Sequence, residues 1–115
     1  MKSFSEFWPF YVRQHAHKGN RNLHFVGTTL SLLSIVAGIE VNAWFFVAAP
    51  ICGYFFAWLG HLGIEKNRPA TWQHPVWSLL GDFRMFGLII AGRMDQEVEK
   101  FAVSEKNKEV SAPTA

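Results

Sequence analysis

The sequence predicts an all-α integral membrane protein: a helical bundle built on a two-span hairpin, with an N-terminal interfacial helix and a third, interrupted apolar helix. Three observations lead there. Half of the chain is hydrophobic. Residues 22–39 and 41–64 carry no Asp, Glu, Lys or Arg, and a helix needs roughly 20 residues to cross about 30 Å of hydrocarbon. The stretch from Ala43 to Trp58 is apolar all round, whereas a core helix of a soluble bundle keeps a polar face.

A chain of 115 residues supports one domain. It is expected over residues 1–106, followed by a disordered polar tail over 107–115. The first residues lack a long apolar run before a small-residue cleavage site, so the mature protein is expected to begin near Met1. Cys52 is the only cysteine, which rules out a disulfide framework and a cysteine-based zinc site. A net charge of +2 gives no reason to expect a nucleic-acid partner.

Ser3 and Glu6 have the S-x-x-E spacing of a capping box, opening a first helix to about His17. Its Phe4, Phe7, Trp8, Tyr11 and Val12 form an apolar stripe at helical spacing. The stripe suits either a helix lying in the membrane interface or one packed on the spans. Lys18-Gly19-Asn20 offers a C-terminal glycine and a possible cap for the next helix. The first span runs from about Asn22 to Ile39. Its Thr28, Thr29, Ser31 and Ser34 are compatible with lipid, since hydroxyls can bond helix carbonyls or mark a packing face. The link from Glu40 to Ala43 is short, so the second span returns antiparallel and ends near His61 to Ile64.

A polar stretch, Glu65 to His74, leads to Pro75, which suits the first turn of a helix. The apolar segment Val76–Gly92 is interrupted by Gly81, Asp82 and Arg84; it either spans or bends at Gly81 and stays near the interface. From Met94 a polar helix with an apolar edge of Val98, Phe101 and Ala102 is expected. Trp8, Trp44, Trp58, Trp72 and Trp77 are expected as interfacial anchors. Arg13, Lys18, Arg21, Lys66 and Arg68 all flank the open end of the hairpin, which places that end in the cytoplasm by the positive-inside tendency.

The hairpin also gathers the histidines. His15 and His17 precede the first span, His24 lies in its first turn, His61 lies in the last turn of the second, and His74 follows in the loop. All five fall at one membrane face, where ionisable groups usually serve a purpose. Glu65 follows His61 by four residues, which on a continuing helix puts both on one side. Imidazoles with a carboxylate suit iron, zinc or copper, and two histidines with one carboxylate make the open site of non-haem iron oxygenases. His15, His24, His61 and Glu65 are therefore the candidate catalytic set, and His15, His24, His61 and His74 the candidate metal ligands. His17 is the weakest member, because it points away from His15 on a helix. Asp82 is a candidate to orient an imidazole, or else to cap a helix after Gly81. The strip from Glu65 to Arg68 could attract a substrate carboxylate or a lipid headgroup.

Phe10-Tyr11, His15, Asn20 and His24, followed by Trp58, His61, Glu65-Lys66 and Pro69-Ala70, resemble the small membrane family of the iron-dependent 2-hydroxy fatty acid dioxygenase of fungal lipid degradation. The resemblance extends from about residue 4 to residue 93, and His74 with the run Trp77–Met85 looks like a shorter branch of that family. It implies Fe(II) as cofactor and removal of one carbon from a 2-hydroxy fatty acid by O2. It also implies that Asn20 and Lys66, with Asp82, support the ligands or meet the substrate. A 2-hydroxy carboxylate can chelate iron through both oxygen groups. Two other classes stay open on the residues alone: a non-catalytic membrane scaffold, and a haem or electron-transfer protein with His24 and His61 as axial ligands.

Overall fold

The computed structural model describes residues 1–103. They are helical, with no strand among them: α1 (Phe4–Gln14), α2 (Lys18–Glu40), α3 (Phe45–Leu59), α4 (Pro75–Ile90) and α5 (Met94–Val98). A π turn, Gly60–Glu65, extends α3, a 3-10 turn, Ala70–Trp72, precedes α4, and a second π turn, Glu99–Val103, follows α5. The expected polar tail, 107–115, lies outside the described residues.

The Ser3 side chain accepts from the Glu6 amide, capping α1 as its sequence signature implies. The helix stops at Gln14 rather than His17 because the chain end finds another partner. The Arg21 guanidinium donates from Nη1 to the carbonyls of His15 and Ala16, both at 2.7 Å, satisfying groups that helical continuation would otherwise use. His17, not Asn20, then caps α2, its Nδ1 accepting from the Gly19 amide at 3.0 Å. Gly19 and Asn20 lie inside α2.

α2 and α3 pack along their length as the predicted antiparallel hairpin. Small residues let them approach: a Cβ on Gly27 would meet Phe56 Cβ at 2.9 Å, and one on Gly53 would meet Ser31 Oγ at 2.9 Å. Asn42 caps the return, its Oδ1 accepting from the Trp44 amide at 2.9 Å. The segments Lys18–Glu40 and Phe45–Glu65 are long and apolar enough to cross a bilayer. Only 17% and 22% of their apolar windows are buried, so Leu33, Val36, Ile39, Ile51 and Phe55 face outward rather than filling a soluble core.

The core lies beside the hairpin. Phe7, Trp8, Tyr11 and Val12 of α1 are buried with Ala70, Met85, Met94 and Val98. The stripe of α1 is thus covered by α4, α5 and the loop before α4, and Trp8 is a core residue rather than an interfacial anchor. Phe101 and Ala102 pack on the same core, as their edge suggested. Trp44, Trp58 and Trp72 are exposed at the hairpin ends.

α4 runs unbroken through Gly81, Asp82 and Arg84, so neither a bend nor a helix cap is made there. Gly81 serves packing: a Cβ would stand 2.9 Å from the Tyr11 ring. Asp82 faces Tyr11, while the Arg84 guanidinium sits over the Trp8 ring at 4.4 Å, outside the core.

Candidate metal centre

Three of the five histidines converge. His15 comes from the end of α1, His24 from the second turn of α2, and His61 from the π turn after α3; all three are buried. One nitrogen from each lies within 4.8 Å of the other two. The rings meet edge to face, with centroids 4.4 Å apart for His15 and His24, 4.5 Å for His15 and His61, and 5.0 Å for His24 and His61.

The outer nitrogens fix how these rings are used. His15 Nδ1 is 2.7 Å from the Tyr11 carbonyl, which can only accept, so Nδ1 carries the proton and Nε2 the lone pair. His61 Nδ1 is 2.7 Å from Asn67 Oδ1. The Asn67 amide donates from Nδ2 to the Gln14 carbonyl at 3.0 Å, which orients its oxygen toward His61. His61 therefore also donates from Nδ1 and keeps its Nε2 lone pair. His24 Nδ1 faces Asp82 Oδ1 at 3.7 Å, and that carboxylate accepts the Tyr11 hydroxyl at 2.5 Å. Each histidine thus turns Nδ1 toward an oxygen, the arrangement in which metal-ligating imidazoles are held.

His15 Nε2 and His24 Nε2 are 3.1 Å apart. Two donors at right angles on one ion, with bonds of about 2.1 Å, are separated by about 3.0 Å. The donor set, and the spacing of this pair, therefore fit a metal ion. Burial, with the neighbouring His24 and His61, holds the His15 imidazole well below its ordinary 6.5, so it is neutral and able to ligate. Burial lifts the Asp82 carboxyl to about 7, against the opposing pull of the Tyr11 hydrogen bond. Burial and the facing carboxylate raise Tyr11 well above 10.0, which keeps its hydroxyl a donor.

The remaining sequence candidates sit elsewhere. Glu65 is not in the histidine group; its Oε1 accepts from the His17 amide at 2.6 Å. The Glu65 carboxylate is turned to the start of α2, where the Asn20 side chain also approaches it, instead of joining the three imidazoles. His74 precedes α4 and packs its ring on Trp77 at 5.3 Å and Phe7 at 5.5 Å. Asn20 is fully buried, with Nδ2 at 3.5 Å from both Gln14 O and Glu65 Oε1. Lys66 is exposed and ends the π turn in the left-handed conformation, φ 60°. This reversal carries Asn67 back to His61, and the Asn67 amide donates to the His61 carbonyl at 3.0 Å.

Tyr11, named in the family motif, and Asn67, named in the strip from Glu65 to Arg68, hold histidine rings, a role that sequence reasoning did not assign to either. Tyr11 stands four residues before His15, a spacing that stacks their rings at 4.0 Å.

A cavity of about 380 Å³ opens from this centre. His24 and Asp82 line one end, and α2, α3 and α4 supply its mostly apolar walls.

The family model described as 2-hydroxy-palmitic acid dioxygenase Mpo1-like matches residues 1–94. The chain belongs to this Mpo1-like family. The matched region contains all five histidines, Asn67 and Asp82. No curated protein and no solved structure matches the chain. The Mpo1-like description is compatible with a centre of three buried histidines able to hold a metal ion.

Proposed function

We propose that the protein is an Fe(II)-dependent dioxygenase that shortens 2-hydroxy fatty acids by one carbon at a membrane surface. The observation that carries this reading is the buried group His15, His24 and His61, each with Nδ1 turned to an oxygen and one nitrogen left for a shared ion. The family description supplies the substrate class and the reaction type.

In this reading the three histidines hold the metal, and the Tyr11 carbonyl, Asn67 and Asp82 fix their rings. Bound there, Fe(II) would supply the redox chemistry with O2 and the open positions on which a 2-hydroxy carboxylate can chelate. Three imidazoles are neutral ligands, so a substrate carboxylate would meet the ion without competition from a protein carboxylate. Lys66 and Arg68, at the same end of the hairpin, favour a carboxylate head group at that face. The reaction balances with one O2 per acid: a 2-hydroxy acid and O2 give the shortened acid, carbon dioxide and water.

In this reading the hairpin crosses the bilayer and residues 1–106 act as one membrane domain, and the positive-inside tendency of the basic residues at the open end supports a cytoplasmic histidine face. Haem ligation by His24 and His61 is disfavoured by spacing. Rings on opposite faces of one iron have centroids about 6 Å apart, from metal–nitrogen bonds of about 2.0 Å plus two ring radii, and here they are 5.0 Å apart.

The test is mass spectrometry of products from iron-loaded protein given long-chain 2-hydroxy acids under labelled O2. The expected product is the acid one carbon shorter with label in its carboxyl group, and none from the unsubstituted acid. Folded, iron-loaded protein that yields no shortened acid at any chain length overturns the reading.

A further inference from the structure

We infer that the cavity between α2, α3 and α4 is a lateral acyl-chain groove in which Ile35 sets the length of tail that the site accepts. The inference rests on the proposed function for the identity of the head group, and on the geometry of the groove for the rest.

The groove starts at His24 and Asp82, so one end is continuous with the candidate metal centre. Thr28, Ser31 and Ile35 continue it along one face of α2. At 1.5 Å per residue, the eleven residues from His24 to Ile35 span about 16 Å. A volume of about 380 Å³ over that length gives a mean cross-section of roughly 23 Å², on the scale of one hydrocarbon chain. With C–C bonds of about 1.52 Å at tetrahedral angles, the same length holds roughly 13 extended carbons.

The walls fit that occupant. α3 contributes Ala49, Gly53 and Ala57, small residues at four-residue spacing that leave room beside α2. The Ser31 hydroxyl donates to the Ala49 carbonyl at 2.6 Å, so it makes no demand on a ligand. α4 packs on α2 but makes no extended contact with α3, and Leu79 and Phe83 form a half-exposed lip on that side. The opening therefore faces the direction that the outward residues of α2 and α3 assign to lipid. A 2-hydroxy acid can enter sideways from the bilayer, with its head reaching the histidines as its tail fills the groove. Each methylene gains by leaving water for such a wall, but transfer from lipid contributes almost nothing. The groove consequently selects by fit and length rather than by hydrophobicity.

The experiment uses the full chain in phosphatidylcholine vesicles and a long-chain 2-hydroxy acid carrying a mid-chain diazirine. Illumination followed by peptide mass spectrometry should place adducts at Thr28, Ser31, Gly53 and Ala57. An excess of unlabelled 2-hydroxy acid should remove them, and a matching excess of phospholipid should not. Ile35→Trp, at a residue 38% exposed and so tolerant of a larger side chain, should shift competition several-fold toward shorter acids. Val36→Trp, on the same turn but outside the groove, should leave the preference unchanged. Adducts spread over Leu33, Ile51 and Phe55 overturn the groove. So do phospholipid competition as strong as that of the acid, and equal effects of the two tryptophans. Labelling needs no turnover: groove adducts without shortened acid keep the groove and remove the dioxygenase reading, whereas shortened acid with dispersed adducts does the reverse.

Discussion

His61 Nδ1 and Asn67 Oδ1 stand 2.7 Å apart, and the same amide group donates to the Gln14 carbonyl at the end of α1. Asn67 thereby ties the histidine that follows α3 to the helix that carries His15. Asn67→Ala should lower metal affinity by about 10–100-fold, the usual cost of losing the partner that orients a ligating imidazole. Asn67→Asp, which can still accept from Nδ1, should fall closer to the native protein. Competition titration against a chelator of known affinity checks this, and unchanged affinity in Asn67→Ala would remove Asn67 from the centre.

Gly60 should tolerate no side chain. A Cβ there would lie 1.9 Å from Asn20 Oδ1 and 2.9 Å from its Cγ, a clash with a fully buried side chain, and a tight 3.3 Å from Asn20 Cα. Gly60→Ala should cost about 1–3 kcal/mol or more, in the range of an overpacked core. Gly63→Ala is the comparison, since its nearest new contact is an ordinary 3.9 Å from Leu59 Cδ1. Thermal unfolding in detergent should separate the two variants clearly; matching midpoints would contradict the close packing of α2 on the π turn.

Metal-free protein should lose stability as the pH falls below 6.5. The unfolded chain protonates His15 near 6.5, while the buried imidazole in the fold resists protonation to a well lower pH. Within that window the unfolded state binds more protons, so stability rises with pH. His15→Asn removes the group and should flatten the dependence by up to about 1.4 kcal/mol per pH unit. Unfolding midpoints measured from pH 5 to pH 7.5 provide the check, and an unchanged slope in the variant would contradict a neutral, buried His15.

Much of the hairpin was legible because its signal is one-dimensional: long charge-free runs set two helices, and a short link sets their direction. The same logic brought His15, His24 and His61 to one end. What escaped the sequence depended on local departures from the α-helical repeat and on distant contacts. Glu65 follows His61 by four residues, but its carboxylate is taken by the His17 amide, and the left-handed Lys66 carries Asn67 back to His61. Asp82 was legible as a candidate to orient an imidazole, but its own partner, the Tyr11 hydroxyl 71 residues away, was not. His74 was grouped with the cluster by membrane side alone, but the aromatic surface of Phe7 and Trp77 holds its ring.

The most direct test of the account is the metal content of anaerobically purified protein and of its single histidine variants. The account predicts one iron per native chain. It also predicts sharply reduced retention in His15→Ala, His24→Ala and His61→Ala, with near-native content in His17→Ala and His74→Ala. Native protein that binds no iron after anaerobic reconstitution would contradict it, as would variants of His24 and His61 that keep a full complement.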